Sequence, residues 1–349
     1  MSKLVWFINA SVFLYTDLFT AIMSSVHSNS SGNLTFVRPA TFFINGFVNV
    51  PYAKYYYVFL VLVYAVTVFG NSFIMCIIYL ARRLHTAKYV AVFHLAFSDM
   101  CGSSALIPKL LDMFLFEHQY ISFEECLTNM FFVFHFMNLQ SLTLLSLAYD
   151  RLIAICFPLK YHSIITKRAM CLIMSVMWIF SVTFFAVLVG LLTRLSFCGS
   201  TVVNSYFCDH RPIYKLSCND NSKNVIMGRM CFGLLICLPL VLIIISYFCI
   251  ALVLFKISVV DRTKAMKTCT SHLLLVAIFY IPIFSNNIAA ALTSSIHPNV
   301  EMINISLTQT MSPMLNPIIY TLKTDEVMQS IKVLYKRNKL NVTKEENKI

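Results

Sequence analysis

The chain has 349 residues, of which 58% are hydrophobic and only 12% charged, well below the roughly 25% charge typical of soluble globular domains. That balance excludes an ordinary soluble enzyme or binding module and reads as a membrane protein. Its net charge of +12 implies no nucleic-acid partner, because the basic residues lie between apolar runs rather than clustering on a soluble domain with readers between them.

The first residues admit two readings. Lys3 followed by the uncharged run Leu4 to Thr16 resembles the start of a signal peptide, although it is too short to span a bilayer. Alternatively, residues 1–22 are an extension ahead of a start at Met23. Asn29-Ser-Ser and Asn33-Leu-Thr are N-glycosylation acceptors, which place this segment outside the cell. Residues 1–54 are thus expected to form an extracellular N-terminal segment, 55–322 a seven-transmembrane domain, and 323–349 a cytoplasmic tail.

Seven spans follow, each bounded by charge or turn signals. They are Tyr55 to Ala81, Tyr89 to Leu115 with Asp99 in mid-span, Cys126 to Cys156, Ala169 to Thr193, Met230 to Phe255, Thr268 to Val300, and Met302 to Leu322. The sixth stretch is longer than a span requires and must contain a loop as well as a helix. After the seventh, Asp325 to Arg337 has Val327, Ile331, Leu334 and Tyr335 at helical spacing, with acids first and bases last. This predicts a short amphipathic eighth helix along the membrane surface.

Orientation follows from the basic residues. The segments after spans one, three, five and seven carry 18 of the 27 Lys/Arg and leave that side at +12, against +1 on the other. The basic side is cytoplasmic, the N-terminus outside and the C-terminus inside. Basic inner loops also favour anionic membrane lipids. Of the 12 cysteines, Cys126, Cys198, Cys208 and Cys218 then lie in the oxidising exterior, where three pairings are open. No C-x-x-C pair occurs, so a zinc site is not indicated.

Asp150-Arg151 stands where the third apolar run meets a basic loop. Arg151 there is either a helix-end anchor snorkelling to the headgroups or half of a two-state switch held by Asp150. Asp99 is an ionisable group in mid-membrane, a costly placement that marks a polar interior. Pro282 removes a backbone donor from the sixth helix and should kink it one turn from Tyr280. No H-E-x-x-H, G-x-S-x-G or P-loop pattern occurs, nor any repeat of the transporter kind, so no enzyme and no cofactor is indicated.

Several of these residues resemble a known set in order. Gly70-Asn71, Leu95-Ala-Phe-Ser-Asp99, Trp178, Pro239 with Ser246-Tyr247, and Asn316-Pro-Ile-Ile-Tyr320 resemble the helix signatures of rhodopsin-type G-protein-coupled receptors. Leu147-Ala-Tyr-Asp-Arg-Leu-Ile-Ala-Ile-Cys156, Lys264-Ala-Met-Lys-Thr-Cys-Thr-Ser-His272 and Pro313-Met-Leu-Asn-Pro-Ile-Ile-Tyr320 resemble the odorant-receptor patterns in particular. The resemblance runs from about Phe43 to Arg337. Its departures are Ala87 and Lys88 where the pattern has Pro and Met, Leu152 in place of a tyrosine, and Gln140 in place of an acid.

The resemblance implies an all-α membrane protein with a seven-helix bundle, an odorant receptor at the plasma membrane of sensory cilia. It implies disulfides Cys126–Cys208 and Cys198–Cys218, and a sodium or water site at Asp99. A small, largely neutral odorant would bind among helices three, five, six and seven. The facing positions are Met130, Val133, Phe134, Met137 and Asn138 on the third helix, with Phe232, Leu235, Tyr280, Ile283, Phe284, Asn287, Ser306, Gln309 and Thr310 elsewhere. Val133 offers no acid, which argues against an amine ligand held by an ion pair. Asp150, Arg151, Tyr247, Pro282, Asn316, Pro317 and Tyr320 would form the switch that admits a heterotrimeric G protein of the stimulatory, olfactory type. A peptide or lipid receptor of the same fold is the competing reading, disfavoured by the short loop between spans five and six.

Overall fold

The computed structural model describes residues 37–46, 53–116, 118–256, 258–292 and 298–346; the leader and the sequons at Asn29 and Asn33 lie outside them. Eight long helices make up most of the described chain. They are α1 (Ala53–Leu80), α2 (Ala87–Leu115), α3 (Phe123–Cys156), α4 (Lys167–Leu192), α5 (Ser222–Leu254), α6 (Val259–Leu292), α7 (Pro298–Lys323) and α8 (Asp325–Glu346). The first seven form the transmembrane bundle. Among described residues, α1 to α6 contain stretches long and apolar enough to cross a membrane. The seventh is more polar because Asn304, Ser306, Thr308, Gln309, Thr310, Ser312 and Asn316 share it. It packs on α1, α2 and α6, so this polar row is shielded from lipid.

Several helices extend past the charges that bound the apolar runs. The fifth begins at Ser222, ahead of Met230, and the sixth at Val259, ahead of Thr268. Charge marks where the membrane ends, whereas a helix in water continues until its caps stop it. The eighth helix likewise runs on to Glu346 instead of stopping at Arg337.

The apolar surface is split between lipid and core. Phe69 and Phe73 on α1, Leu172 and Ile179 on α4, and Ile244 and Phe248 on α5 are exposed, as expected of side chains that meet acyl chains. The third helix is the axis, packed against α2, α4, α5 and α6. Two buried clusters stack along it. One, around Cys126, Phe131, Phe185 and Tyr206, fills the outer half; the other, around Leu95, Leu144, Ile243 and Phe279, fills the inner half. Gly70 permits the close approach of α1 to α7, since a Cβ there would stand 2.8 Å from Pro317 Cγ.

A small sheet not foreseen in the all-helical expectation closes the outer face. Strand β1 (Thr41–Ile44) pairs antiparallel with β2 (Tyr120–Ser122) and parallel with β3 (Val202–Val203), giving the order β2-β1-β3. Phe42 and Ile44 are fully buried beneath it, with Phe42 edge-on to Phe197 at 5.4 Å. Residues 41–46 of the N-terminal segment are therefore part of the packed outer face.

Candidate functional site

At the inner end of α3, Asp150 is fully buried and its Oδ2 lies 3.4 Å from Arg151 Nη2, an ion-pair distance. Tyr161, in the helical turn Tyr161–Ile164 just after α3, donates its hydroxyl to Asp150 Oδ1 at 2.8 Å. Burial and the neighbouring Asp150 carboxylate together push the Tyr161 phenol well above its ordinary value, so it stays a donor. One carboxylate thus holds both the arginine and the following loop.

Tyr247 on α5 stacks against His272 on α6 and shares a hydrogen bond of 2.8 Å with its Nδ1. The opposite ring nitrogen, Nε2, lies 3.1 Å from the Leu144 carbonyl of α3. A carbonyl only accepts, so Nε2 carries the proton and Nδ1 accepts from the Tyr247 hydroxyl. This imidazole joins α3, α5 and α6 at one point. The His at the end of the Lys264–His272 stretch was a motif match only; its bridging role was not assigned from sequence.

Two acids at the start of α8 tie that helix to the bundle. Glu326 Oε2 accepts from Lys88 Nζ at 2.7 Å and from Tyr89 Oη at 2.6 Å. Burial works against its charged form, but these two hydrogen bonds outweigh it and hold the carboxyl below its ordinary value. Asp325 Oδ2 meets Lys267 of α6 at 3.1 Å, with both side chains largely exposed. Lys88, a departure from the odorant pattern, thus has a partner.

Mid-bundle, Asn316 Nδ2 donates to Asp99 Oδ2 at 2.7 Å, while Asn71 Nδ2 donates to the carbonyls of Thr67 and Pro313 at 2.9 and 3.0 Å. Asp99 Oδ1 and Asn316 Oδ1 are buried without hydrogen-bond partners. Pro317 is buried beside Gly70, and Tyr320 is half-buried against the inner core.

Pro239 explains the geometry above it. An α-helix would use the N–H of residue 239 to bond the Leu235 carbonyl; proline has none. The preceding turn, Cys231–Cys237, is a π-helix, and the freed Leu235 carbonyl accepts from Ser141 Oγ of α3 at 2.9 Å. Ser141 has a single hydroxyl proton, so Tyr280 of α6 must be the donor in their 2.8 Å contact. The path Tyr280, Ser141, Leu235 links α6, α3 and α5.

The expected ligand positions do not all meet. A cavity of about 20 Å³ available to water-sized spheres lies among α2, α3, α6 and α7, lined by Gly102, Leu106, Val133, Met137, Gln140, Phe279, Ile283, Thr308 and Gln309. Val133, Met137, Ile283 and Gln309 come together there. No α5 residue lines it: Leu235 is buried and Phe232 closes against Phe284 at 5.6 Å. Asn138 turns to α4, where its Nδ2 donates to Ser181 Oγ at 2.9 Å beside His135 Nδ1 at 2.8 Å. Met130 is buried in the outer core and Phe134 stacks on Phe185 at 6.1 Å. Ser306 pairs with Tyr56, and Thr310 donates to the Ser306 carbonyl at 2.9 Å. Asn287 is exposed and donates to the Ile283 carbonyl of its own helix at 2.8 Å.

On the outer side, Cys126–Cys208 and Cys198–Cys218 are disulfide-bonded, with Cα–Cα distances of 5.4 and 5.8 Å. The first ties the α4–α5 loop to α3; the second closes the loop on itself. His210, next along that loop, is buried against Tyr214 and Asn224, and burial pushes its pKa down to about 4 despite the Asn224 contact.

Known proteins resemble this chain in sequence and in fold. The olfactory receptor family profile matches residues 60–338. Olfactory receptor 1468 of Rattus norvegicus is 37% identical over 285 residues, covering 81% of this chain and 90% of its own. Olfactory receptor 51E2 of Homo sapiens is 33% identical over 299 residues, covering 85% and 93%. Squid rhodopsin shares the fold, with a TM-score of 0.65 over 83% of this chain and 87% of its own at 18% identity. A multi-pass helical bundle with these motifs, matched over most of its length by such relatives, belongs to the olfactory receptor family of G-protein-coupled receptors, which are receptors and not enzymes.

Proposed function

We propose that this receptor binds a small, largely neutral odorant inside the bundle and answers by activating a stimulatory, olfactory-type G protein that raises cyclic AMP. The observation that carries the reading is the cavity among α2, α3, α6 and α7, whose lining holds no charged side chain. Apolar burial there supplies affinity and Gln309 supplies orientation. Val133, Met137, Ile283 and Gln309 are the primary contacts, and Met130, Phe134, Asn138, Phe232, Leu235, Tyr280, Phe284, Ser306 and Thr310 form the surround that adjusts to the ligand.

Ligand entry shifts α6 at Tyr280 and Pro282, and the Tyr280–Ser141 contact passes the change to α3 and α5. The Tyr247–His272 contact then yields, Arg151 leaves Asp150, and the inner ends of α3, α5, α6 and α7 part to admit the G-protein α-subunit. Asp99 Oδ1 and Asn316 Oδ1, both buried without partners, would hold a sodium ion in the resting state; oxygen donors suit such a hard cation. The receptor acts at the plasma membrane of olfactory cilia.

A cyclic-AMP reporter screen against small volatile and water-soluble odorants, with Arg151→Ala as control, tests the reading. A concentration-dependent response that Arg151→Ala abolishes supports it. A response only to peptides or lipids overturns it.

A further inference from the structure

The cavity is the size of one functional group. About 20 Å³ of space for water-sized spheres accommodates about one water molecule, or one hydroxyl. Two carboxamides stand on its wall, Gln140 from α3 and Gln309 from α7. Gln309 Oε1 is buried without a hydrogen-bond partner. Gln140 is 6% exposed, and its Nε2 lies 3.7 Å from where a Cβ on Gly102 would stand. Glycine at 102 keeps this corner open: a Cβ would also come within 3.1 Å of Phe136 Cβ.

Chain direction orders the lining by depth. The third and seventh helices run inward and the second and sixth outward. Gln140 and Phe279 therefore lie deeper than Val133 and Ile283, and Leu106 lies outward of Gly102. Gln140 thus brings a polar group to the deep end beside Phe279, while Leu106, Val133 and Ile283 make the outward end apolar.

We propose that this deep corner is a hydroxyl subsite, so that the receptor selects compact, uncharged alcohols or phenols, whose hydroxyl sits between Gln140 and Gln309 and whose hydrocarbon part extends outward among Leu106, Val133 and Ile283. Each carboxamide offers one carbonyl acceptor and one NH₂ donor, whichever way its amide is turned. A hydroxyl both donates and accepts, so it can answer Gln309 Oε1 and take a bond from Gln140 at once. An ether or ketone only accepts and leaves the buried Gln309 oxygen unpaired, which a polar site penalises strongly. A charged amine or carboxylate would enter with no counter-charge in the lining. This inference rests on reading the cavity as the ligand site, and it adds the class of group recognised there.

The test is a binding measurement that needs no G protein. Full-length receptor purified into lipid nanodiscs is heated with phenol or anisole, and with cyclohexanol or methoxycyclohexane, while the unfolding midpoint is followed; ligand binding to the folded state raises it. The expected result is that each hydroxyl compound raises the midpoint at a concentration at least about tenfold lower than its methyl ether does. Gln309→Met and Gln140→Met should each erase that difference, and Gly102→Ala should weaken the hydroxyl compounds by crowding the corner. Equal shifts within each pair in the unaltered receptor overturn the proposal, as does the absence of any shift, which would leave the corner to a structural water. A preference for hydroxyls that survives the Gln140→Met, Gln309→Met double variant also overturns it. Hydroxyl-selective binding without a cyclic-AMP response would count against the signalling reading alone.

Discussion

Tyr161 donates a 2.8 Å hydrogen bond to Asp150 Oδ1, on a carboxylate whose other oxygen faces Arg151 at 3.4 Å. Leu152 lacks the hydroxyl that a tyrosine would place after the Asp-Arg pair, and the loop supplies one to that carboxylate from 11 residues beyond it. In the proposed lock, Asp150 would therefore act through both of these partners. Asp150→Asn should raise basal cyclic AMP at matched surface expression. Tyr161→Phe should raise it less, since one hydrogen bond contributes about 1 kcal/mol, roughly a fivefold change in an equilibrium. Basal signal unchanged in both variants would remove Asp150 from the lock.

The contact between Lys267 and Asp325 crosses from α6 to α8 at the inner face, so outward movement of α6 must break it. Its partners are 58% and 74% exposed, and such pairs contribute only about 0.2–1 kcal/mol. A Lys267→Glu substitution is expected to raise basal signalling by no more than a few-fold, and the charge-swapped pair Lys267→Asp, Asp325→Lys should return it to the starting level. A double-mutant cycle on basal cyclic AMP measures the coupling directly; a swap that leaves the signal raised, at unchanged net charge, shows that the pairing is not what holds it down.

Two groups outside the membrane-spanning helices, one buried and one half-exposed, should respond to pH in separate windows. His210 is held neutral down to about pH 4, whereas an unfolded histidine takes its proton near 6.5. The unfolded chain binds more protons in between, so stability should fall as pH drops from about 6.5 toward 4, and His210→Asn should flatten that limb. Glu326 acts in the same sense, in a more acidic window. Its pKa is depressed on balance, so its contribution is complete above the ordinary carboxylate value near 4.3 and disappears as pH falls through the depressed one. The gap in unfolding midpoint between the unaltered receptor and Glu326→Gln should be constant at neutral pH and close only in strong acid. With a side chain 49% exposed, it should not exceed about 1 kcal/mol.

Gly46 lies against the outer loop, where a Cβ would come within 2.7 Å of the Tyr206 Cα and 2.8 Å of Phe114 Cζ. Backbone cannot yield as a side-chain tip can, so Gly46→Ala should cost about 1–3 kcal/mol and reduce surface expression. Flow cytometry with an extracellular tag reads this; normal expression would mean that the backbone at Gly46 yields to the added methyl group.

The spans and their orientation were legible because lipid and charge act locally, residue by residue. Helix ends were less so: nothing in the apolar run from Met230 announces a helix beginning at Ser222. Helical spacing put Val133, Met137 and Asn138 on adjoining faces, yet Asn138 faces Ser181 of α4, because the choice of neighbour depends on a polar partner distant in sequence. The role of Leu235 was legible as a position and not as chemistry. Its carbonyl, freed by Pro239, makes the bond, while its side chain packs in the core. The short run Thr41-Phe-Phe-Ile44 is made of strand-forming residue types, but four residues do not name a partner, and both partners lie far along the chain.

That separation sets a timetable for the receptor's manufacture. Asn45, at the end of β1, hydrogen-bonds Asn204 at the end of β3, 159 residues later. Among the described residues β1 is the first strand synthesised; its pairing with β2 can form once the second helix is made, but its pairing with β3 must wait until the fourth helix has been threaded and the loop beyond it has crossed the membrane. Until then the edge of β1 that β3 covers has no partner strand, so the outer face of this receptor is begun early and completed late.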